Sequence, residues 1–533
     1  MRILITPDIM EWAIGSLTKS IVRHAQHRFD FTVVPVHPRA ATDPALHIRQ
    51  LIKEQGQFDL WHCMYWNSGE QLLSLLPELR GIPSVLSHHN HYALQKADWS
   101  RYTKVVVPTG WSYDFLAPKY NNLIKIPYGI DLDRFSYIDE RKDDGQTIGY
   151  VGRVVPHKNL ARICQAAKNM GAKVLATGYV EKTDYYETVD KSVLEIHGGT
   201  GRGTMASQAF KDRLYERMTA FVMYSTGEVE TGTLPLFEAM ARGVPVLTTA
   251  QGSARDLITD GENGIIFNEE NFAEKLAMLL ADRKLQDRLR ENAWKTVKGY
   301  PEEMMSLQYQ KVYADIFAEG KKKISIIIPT KNRAELVAES LLSIEAQDYA
   351  YKEVIVVDDG STDQKTDVVI NAMRKHAKTP IILLRTGNND GHYGLARARN
   401  IGVIEAIGDI VVLLDDRLKL APNALTDIAA SQMEPMRFYW GAKLVNNEES
   451  TKRTFIENFS WCRRDDLINA GLFPEWLQLY GGMSEEIRKR LATQGWQFVY
   501  NPKPTAEQMT GSGRYKHKDQ VWKAKFLLRK LYG

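Results

Sequence analysis

At 533 residues the chain is longer than one hydrophobic core ordinarily organises, so two or three domains are expected. Hydrophobic residues at 44% and charged residues at 25% match a folded globular protein and exclude a largely disordered one. The 69 basic and 65 acidic residues leave a formal charge of +4, too even a balance for a surface that coats nucleic acid.

Cys63, Cys164 and Cys462 are odd in number and lack metal-ligand spacing, which points to a reducing, cytoplasmic setting. The start MRILITP reads as a strand. No run of about 18 apolar residues follows it or appears elsewhere, so neither an export signal nor a membrane span is expected.

Short β-rich runs at residues 3–6, 31–36, 59–63, 84–87 and 104–107 alternate with helical periodicity, the rhythm of a parallel sheet with crossover helices. A second series begins with TIGYVGRV at Thr147 and continues through AKVLATG, AFVMYS, GVPVLTT and GIIFN. Two doubly wound units in succession would leave a cleft between them. A helical stretch over 302–318 is followed by the polar run EGKKK, read as a linker over 319–322. From KISIIIPTKNR a fresh α/β pattern runs to about Pro502.

In the first half, EVETGTLPLFEAMARGVPVLTT places Glu230 and Glu238 on either side of Gly232, Thr233 and Leu234, which open a helix. Free amides at a helix start hold a diphosphate, and carboxylates accept hydrogen bonds from sugar and ribose hydroxyls. Upstream, GYVGRVVPHKN sets Arg153 and Lys158 just after a strand end, where cations neutralise the same diphosphate. A glutamate pair at helical spacing is usually a solvated helix face, but the surrounding glycines, proline and cations argue for a site.

These segments, together with IPYGIDLDRF and its Pro127, Gly129 and Asp131, resemble glycosyltransferase family 4, whose GT-B fold pairs two Rossmann-like domains. The resemblance covers residues 1–318, divided as an acceptor-side unit over about 1–140, a donor-side unit over about 145–300 and a returning helix over about 302–318. It implies that Arg153 and Lys158 hold the donor diphosphate, Glu238 the ribose and Glu230 the transferred sugar, with retention and without a metal. Gly15 in AIGSLTKS stands where the family has a glycine-rich loop beside the donor. Among His88, His89 and His91 of SHHNHYAL, where the family keeps a histidine near the acceptor, His89 is the candidate. The run HGGTGRGT at 197–204 lacks a Walker lysine and reads as a surface or acceptor loop.

In the second half each strand end delivers a polar group: Pro329 and Thr330, then Asp358 and Asp359, then Asp415 and Asp416. This succession, with GLARARNIGV, resembles glycosyltransferase family 2 and its mixed-sheet GT-A fold, over nearly all of 323–505 within a domain running to 533. The resemblance puts Thr330 and Asp359 at the nucleoside, Arg397 and Asn400 on the donor-side helix, and Asp415 at the start of the Asp-x-Asp element. Arg417 replaces the usual last carboxylate, so Mg2+ or Mn2+ on Asp415 and Asp416 is in question for this domain. In GGMSEEIRKRL an ungapped register sets Met483 and Ser484 on the family's acidic pair. A small gap sets Glu485 and Glu486 there, and these are chosen as the base because a carboxylate can do the chemistry. Gln508 falls near the family's late histidine, with His517 beyond. The tail RYKHKDQVWKAKFLLRKLYG is compatible with a basic amphipathic helix at a lipid surface, or with a closing helix.

The expectation is a bifunctional α/β glycosyltransferase. Nucleotide-sugars serve as donors and a glycan or lipid-linked glycan as acceptor, in the cytoplasm or at the inner face of a membrane. A single active GT-B domain with a docking GT-A domain is the alternative. A dinucleotide-dependent oxidoreductase is disfavoured because TPDIMEWAIGS lacks the glycine fingerprint.

Overall fold

The apolar runs become central strands of three sheets in the computed structural model. It describes residues 1–10, 13–36, 43–89, 97–140, 142–197, 208–227, 230–318, 321–387, 394–446, 448–449, 455, 457–477 and 482–509. His91, the loop 198–207 and the basic tail 510–533 lie outside the described residues.

The first sheet is wholly parallel, in the order Asp30–Val33, Arg2–Thr6, Leu60–Cys63, Ser84–Ser87, Lys104–Val107, Leu123–Lys125. Leu60–Cys63 and Ser84–Ser87 are buried along their whole length, as strands covered by helices on both faces must be. The second sheet is also parallel, in the order Ile265–Ile266, Val246–Thr248, Ala220–Met223, Thr147–Val151, Lys173–Thr177, Leu194–His197. Thr147–Val151 therefore has its successor on one side and the later strand Ala220–Met223 on the other. This reversal opens a crevice at the carboxyl ends of those two strands, where ligands of such sheets bind.

The third sheet has a parallel half, Ile381–Arg385, Lys352–Asp358, Ile324–Thr330 and Ile410–Leu414. Beyond it Phe459–Arg463 lies antiparallel beside Ile410–Leu414 and Arg437–Val445 antiparallel beside that; Gln497–Gln508 then pairs parallel to Arg437–Val445, and Leu418–Leu420 and Glu448–Glu449 pair antiparallel to Gln497–Gln508 and Arg437–Val445 respectively. Every residue of Ile324–Thr330 and Lys352–Asp358 is buried, which explains their continuous β-branched character.

The chain divides into two compact units, Met1–Tyr309 and Gln310–Gly533. The division falls inside the helix Glu302–Phe317. No helix among the described residues is long and apolar enough to cross a membrane.

Candidate active sites

In the first unit the turn after Thr147–Val151 and the loop after Ala220–Met223 meet at the crevice. Lys158 Nζ lies 2.8 Å from Glu230 Oε1, their side chains 17% and 12% exposed. Ser225 donates to the same oxygen at 2.9 Å. Burial opposes the charge on Glu230, but the Lys158 ammonium and these hydrogen bonds outweigh it and hold the carboxyl below its ordinary range. An ionised acceptor and a cation thus stand together where the helix Leu234–Ala241 begins.

The same loop orders the rest of the site. Thr231 donates to the backbone carbonyl of His89 at 2.9 Å. Gly232 lies against the Tyr128 ring so closely that a Cβ would overlap it. Tyr128 in turn bonds His89 Nδ1 at 2.5 Å, which leaves His89 Nε2 buried without a hydrogen-bond partner among the described residues. Thr233 Oγ1, just before the helix, is likewise buried and unpartnered there. Lys158, Glu230, His89, Gly232, Thr233 and Leu234 are therefore brought together. Two buried polar atoms among them have no hydrogen-bond partner among the described residues.

Three other candidate residues already have contacts within the fold. Arg153 pairs with Glu181 at 2.8 Å, half-exposed at the rim. Glu238 is buried and accepts the Tyr215 hydroxyl at 2.6 Å, so one of its oxygens already serves the fold. Gly15 is in the first turn of the helix Ala13–Ala25 rather than in a loop, and its missing side chain makes room for the Met10 backbone. Of the other histidines, His88 is buried edge-on against Trp99.

His62 and His89 carry a pH dependence. Burial lowers both imidazoles to about 3, the His89 charge adding to the effect on His62. Both are neutral in the fold and protonate near 6.5 when unfolded, so the stability they allow is complete above that pH and is lost as pH falls toward 3. Between pH 7.5 and 5.5 each histidine should account for about 1.4 kcal/mol. Unfolding of the full chain at the two pH values should show the first unit losing about 3 kcal/mol. His89→Gln should halve that loss, and an unchanged loss would contradict the assignment.

In the second unit Thr330, at the end of its strand, donates to Asp416 at 2.9 Å, and Arg333 pairs with the same carboxylate at 2.8 Å. Burial, and then Asp415 beside it, push the Asp416 carboxyl up against the pull of Arg333. Asp415 lies 3.3 Å from the guanidiniums of both Arg399 and Arg417. Asp358 holds the Ser361 turn, and Asp359 accepts from Thr386 at 2.9 Å and from the Gly394 amide at 3.1 Å. Pro329 is within the strand, opposite Val357.

The helix Leu395–Glu405 places its two arginines differently. Arg397 is exposed, whereas Arg399, 1% exposed, reaches Asp415 and Glu457. Positions two apart on a helix point about 200° apart, so only one of the pair faces the sheet. Asn400 binds the Phe473 backbone and Glu475 and serves the fold.

The helix Met483–Thr493 carries the two candidate bases. Glu486 is buried against Arg490 at 3.0 Å, and Glu485 pairs with Lys489 at 3.3 Å. The i,i+4 spacing of SEEIRKR is a sequence signal for that pairing. Met483 and Ser484 instead face the Arg399 cluster, Met483 Sδ at 3.8 Å from Arg399 and Ser484 on Glu457. Gln508 pairs opposite Leu418, and the Met509 amide donates to the Arg417 carbonyl.

The donor set does not suit a divalent metal. Asp416 is committed to Arg333 and Thr330, and Asp415 is flanked by two guanidiniums that would repel the ion. Among the described residues the group with metal-ligand geometry is His24, Glu302 and Glu303, elsewhere in the chain, where Arg23 already pairs with Glu302.

Residues 133–296 match the family profile of glycosyl transferases group 1, and residues 325–492 match glycosyl transferase family 2. Each compact unit thus carries a region that matches a glycosyltransferase family. The chain is 28% identical over 162 residues to the GalNAc(5)-diNAcBac-PP-undecaprenol beta-1,3-glucosyltransferase of Campylobacter jejuni, covering 30% of this chain and 51% of the relative. It is 26% identical over 213 residues to the capsular polysaccharide biosynthesis glycosyltransferase CapM of Staphylococcus aureus, covering 37% of this chain and 55% of the relative. The chain thus spans about half the length of these curated relatives. Sucrose-phosphate synthase of Thermosynechococcus elongatus superposes with a TM-score of 0.51 at 16% identity, over 60% of this chain and 99% of that one, a likeness of fold. The two parallel sheets of the first unit are the GT-B arrangement, and the mixed sheet of the second is the GT-A arrangement.

Proposed function

We propose that both domains transfer sugars from nucleotide-sugars, in succession, to a growing glycan. In the first, the donor diphosphate lies against Lys158, Arg153 and the amides of 232–234. Glu238 serves the ribose, Glu230 the transferred sugar and His89 Nε2 the acceptor side, with retention of configuration and no metal. The observation that carries this reading is the Lys158–Glu230 pair at the start of a helix, 2.8 Å apart and mostly out of water. In the second domain, which inverts, Thr330, Asp358 and Asp359 line the nucleoside end and Arg417 faces the diphosphate. One relative is named for a PP-undecaprenol-linked glycan and another for capsular polysaccharide biosynthesis. These names favour a lipid-linked acceptor and a place at the cytoplasmic face of a membrane.

The second reading, one active GT-B domain with a docking GT-A domain, is favoured by Arg417 and by the turning away of Glu485 and Glu486. A panel of UDP-, GDP- and dTDP-sugars offered to the full chain, to Lys158→Ala and to Arg417→Ala separates the two. Two activities, each lost in a different variant, support bifunctionality. Loss of all transfer in Lys158→Ala, with octyl glycosides supplied as acceptors that bypass the first transfer, supports the single-site reading.

A further inference from the structure

A carboxylate that no motif announces stands at the end of Ile410–Leu414. That strand runs antiparallel to Phe459–Arg463 with Leu414 opposite Phe459. The pairing continues past the strand ends, because the Asp415 amide donates to the Asn458 carbonyl at 3.0 Å. This register sets Glu457 beside the Asp415–Asp416 turn. Its carboxylate lies 3.4 Å from Arg399 and accepts the Ser484 hydroxyl, with the side chain 13% exposed.

We propose that Glu457 is the general base of the second domain and that Ser484 is its positioning residue. The proposal rests on the reading that this domain transfers sugar. A base must be within hydrogen-bond reach of the attacking hydroxyl. Ser484, at the helix start, carries a hydroxyl that does not ionise near neutrality, but it points at a carboxylate supplied by the neighbouring strand. The acceptor O–H gives its proton to Glu457 as the oxygen bonds to the anomeric carbon. The bond from that carbon to the β-phosphate oxygen breaks, and its electron pair leaves with the nucleoside diphosphate, whose charge Arg417 meets. The charged groups facing Glu457 among the described residues are Arg399 and, on its far side, Asp415 and Arg417. Arg399 has Asp415 as a second carboxylate, which Arg417 shares.

The test uses the full chain carrying Lys158→Ala, which silences the first domain, with UDP-, GDP- and dTDP-hexoses as donors and octyl glycosides as acceptors, across pH 5–9. Added to it, Glu457→Gln should lower kcat by roughly 100-fold or more with donor KM nearly unchanged. Glu457→Ala should regain rate in formate, which a counter-ion role would not produce, and Ser484→Ala should lower kcat by about tenfold with donor KM unchanged. A wild-type rate in Glu457→Gln, or a loss in Glu457→Ala without formate rescue, overturns the proposal. Loss of all transfer in Lys158→Ala alone, with the parent chain active, overturns the reading beneath it.

Discussion

Lys158→Ala is expected to reduce transfer by the first domain about 100- to 1000-fold, or about 3 to 4 kcal/mol in the barrier. The ammonium is mostly out of water and 2.8 Å from Glu230, so it acts where a fixed charge stabilises a departing diphosphate more than solvent does. Its removal also leaves Glu230 without the cation that holds it ionised. Glu238→Gln should do less, about 1 kcal/mol in donor affinity, because one oxygen of Glu238 is already engaged by Tyr215. Steady-state release of nucleoside diphosphate, with donor affinity measured separately, checks both. A Lys158→Ala chain within twofold of the parent would mean that the donor binds elsewhere.

Arg417→Ala is expected to lower transfer by the second domain by about 100-fold, whereas a chelator should change it little. On the family 2 resemblance the guanidinium stands where a metal-binding carboxylate is usual, and with Arg399 it surrounds Asp415 with positive charge. Arg417, 22% exposed, is placed to meet the developing charge of a diphosphate through paired hydrogen bonds, whereas Arg399 is buried. Transfer by the Lys158→Ala chain, with and without chelator, decides the matter. Abolition by chelator, full rescue by manganese or magnesium, and an indifferent Arg417→Ala would show that Asp415 and Asp416 hold a metal after all.

Strand composition and the glycine, proline and cation pattern were enough to read two parallel α/β sheets followed by a third α/β pattern. The reason is that strands covered on both faces must be continuously apolar, and their polar ends are then conspicuous. The short edge strands Leu123–Lys125 and Leu194–His197 escaped notice because edges are only partly buried and carry mixed residues.

What lay beyond sequence reasoning was orientation and long-range register. Arg397 and Arg399 are equivalent in the string RAR, and helix rotation alone chooses the one that meets Asp415. Ser484, Glu485 and Glu486 are consecutive, yet 100° steps send the two glutamates to Lys489 and Arg490 and the serine to Glu457. Glu457 is more than forty residues from Asp415, and only the antiparallel pairing of Leu414 with Phe459 makes them neighbours. The sequence by itself determined the kinds of domain and the loops that bear charge. Which side chains converge was decided by the tertiary structure, because contact depends on helix rotation and strand register that one-dimensional spacing does not contain.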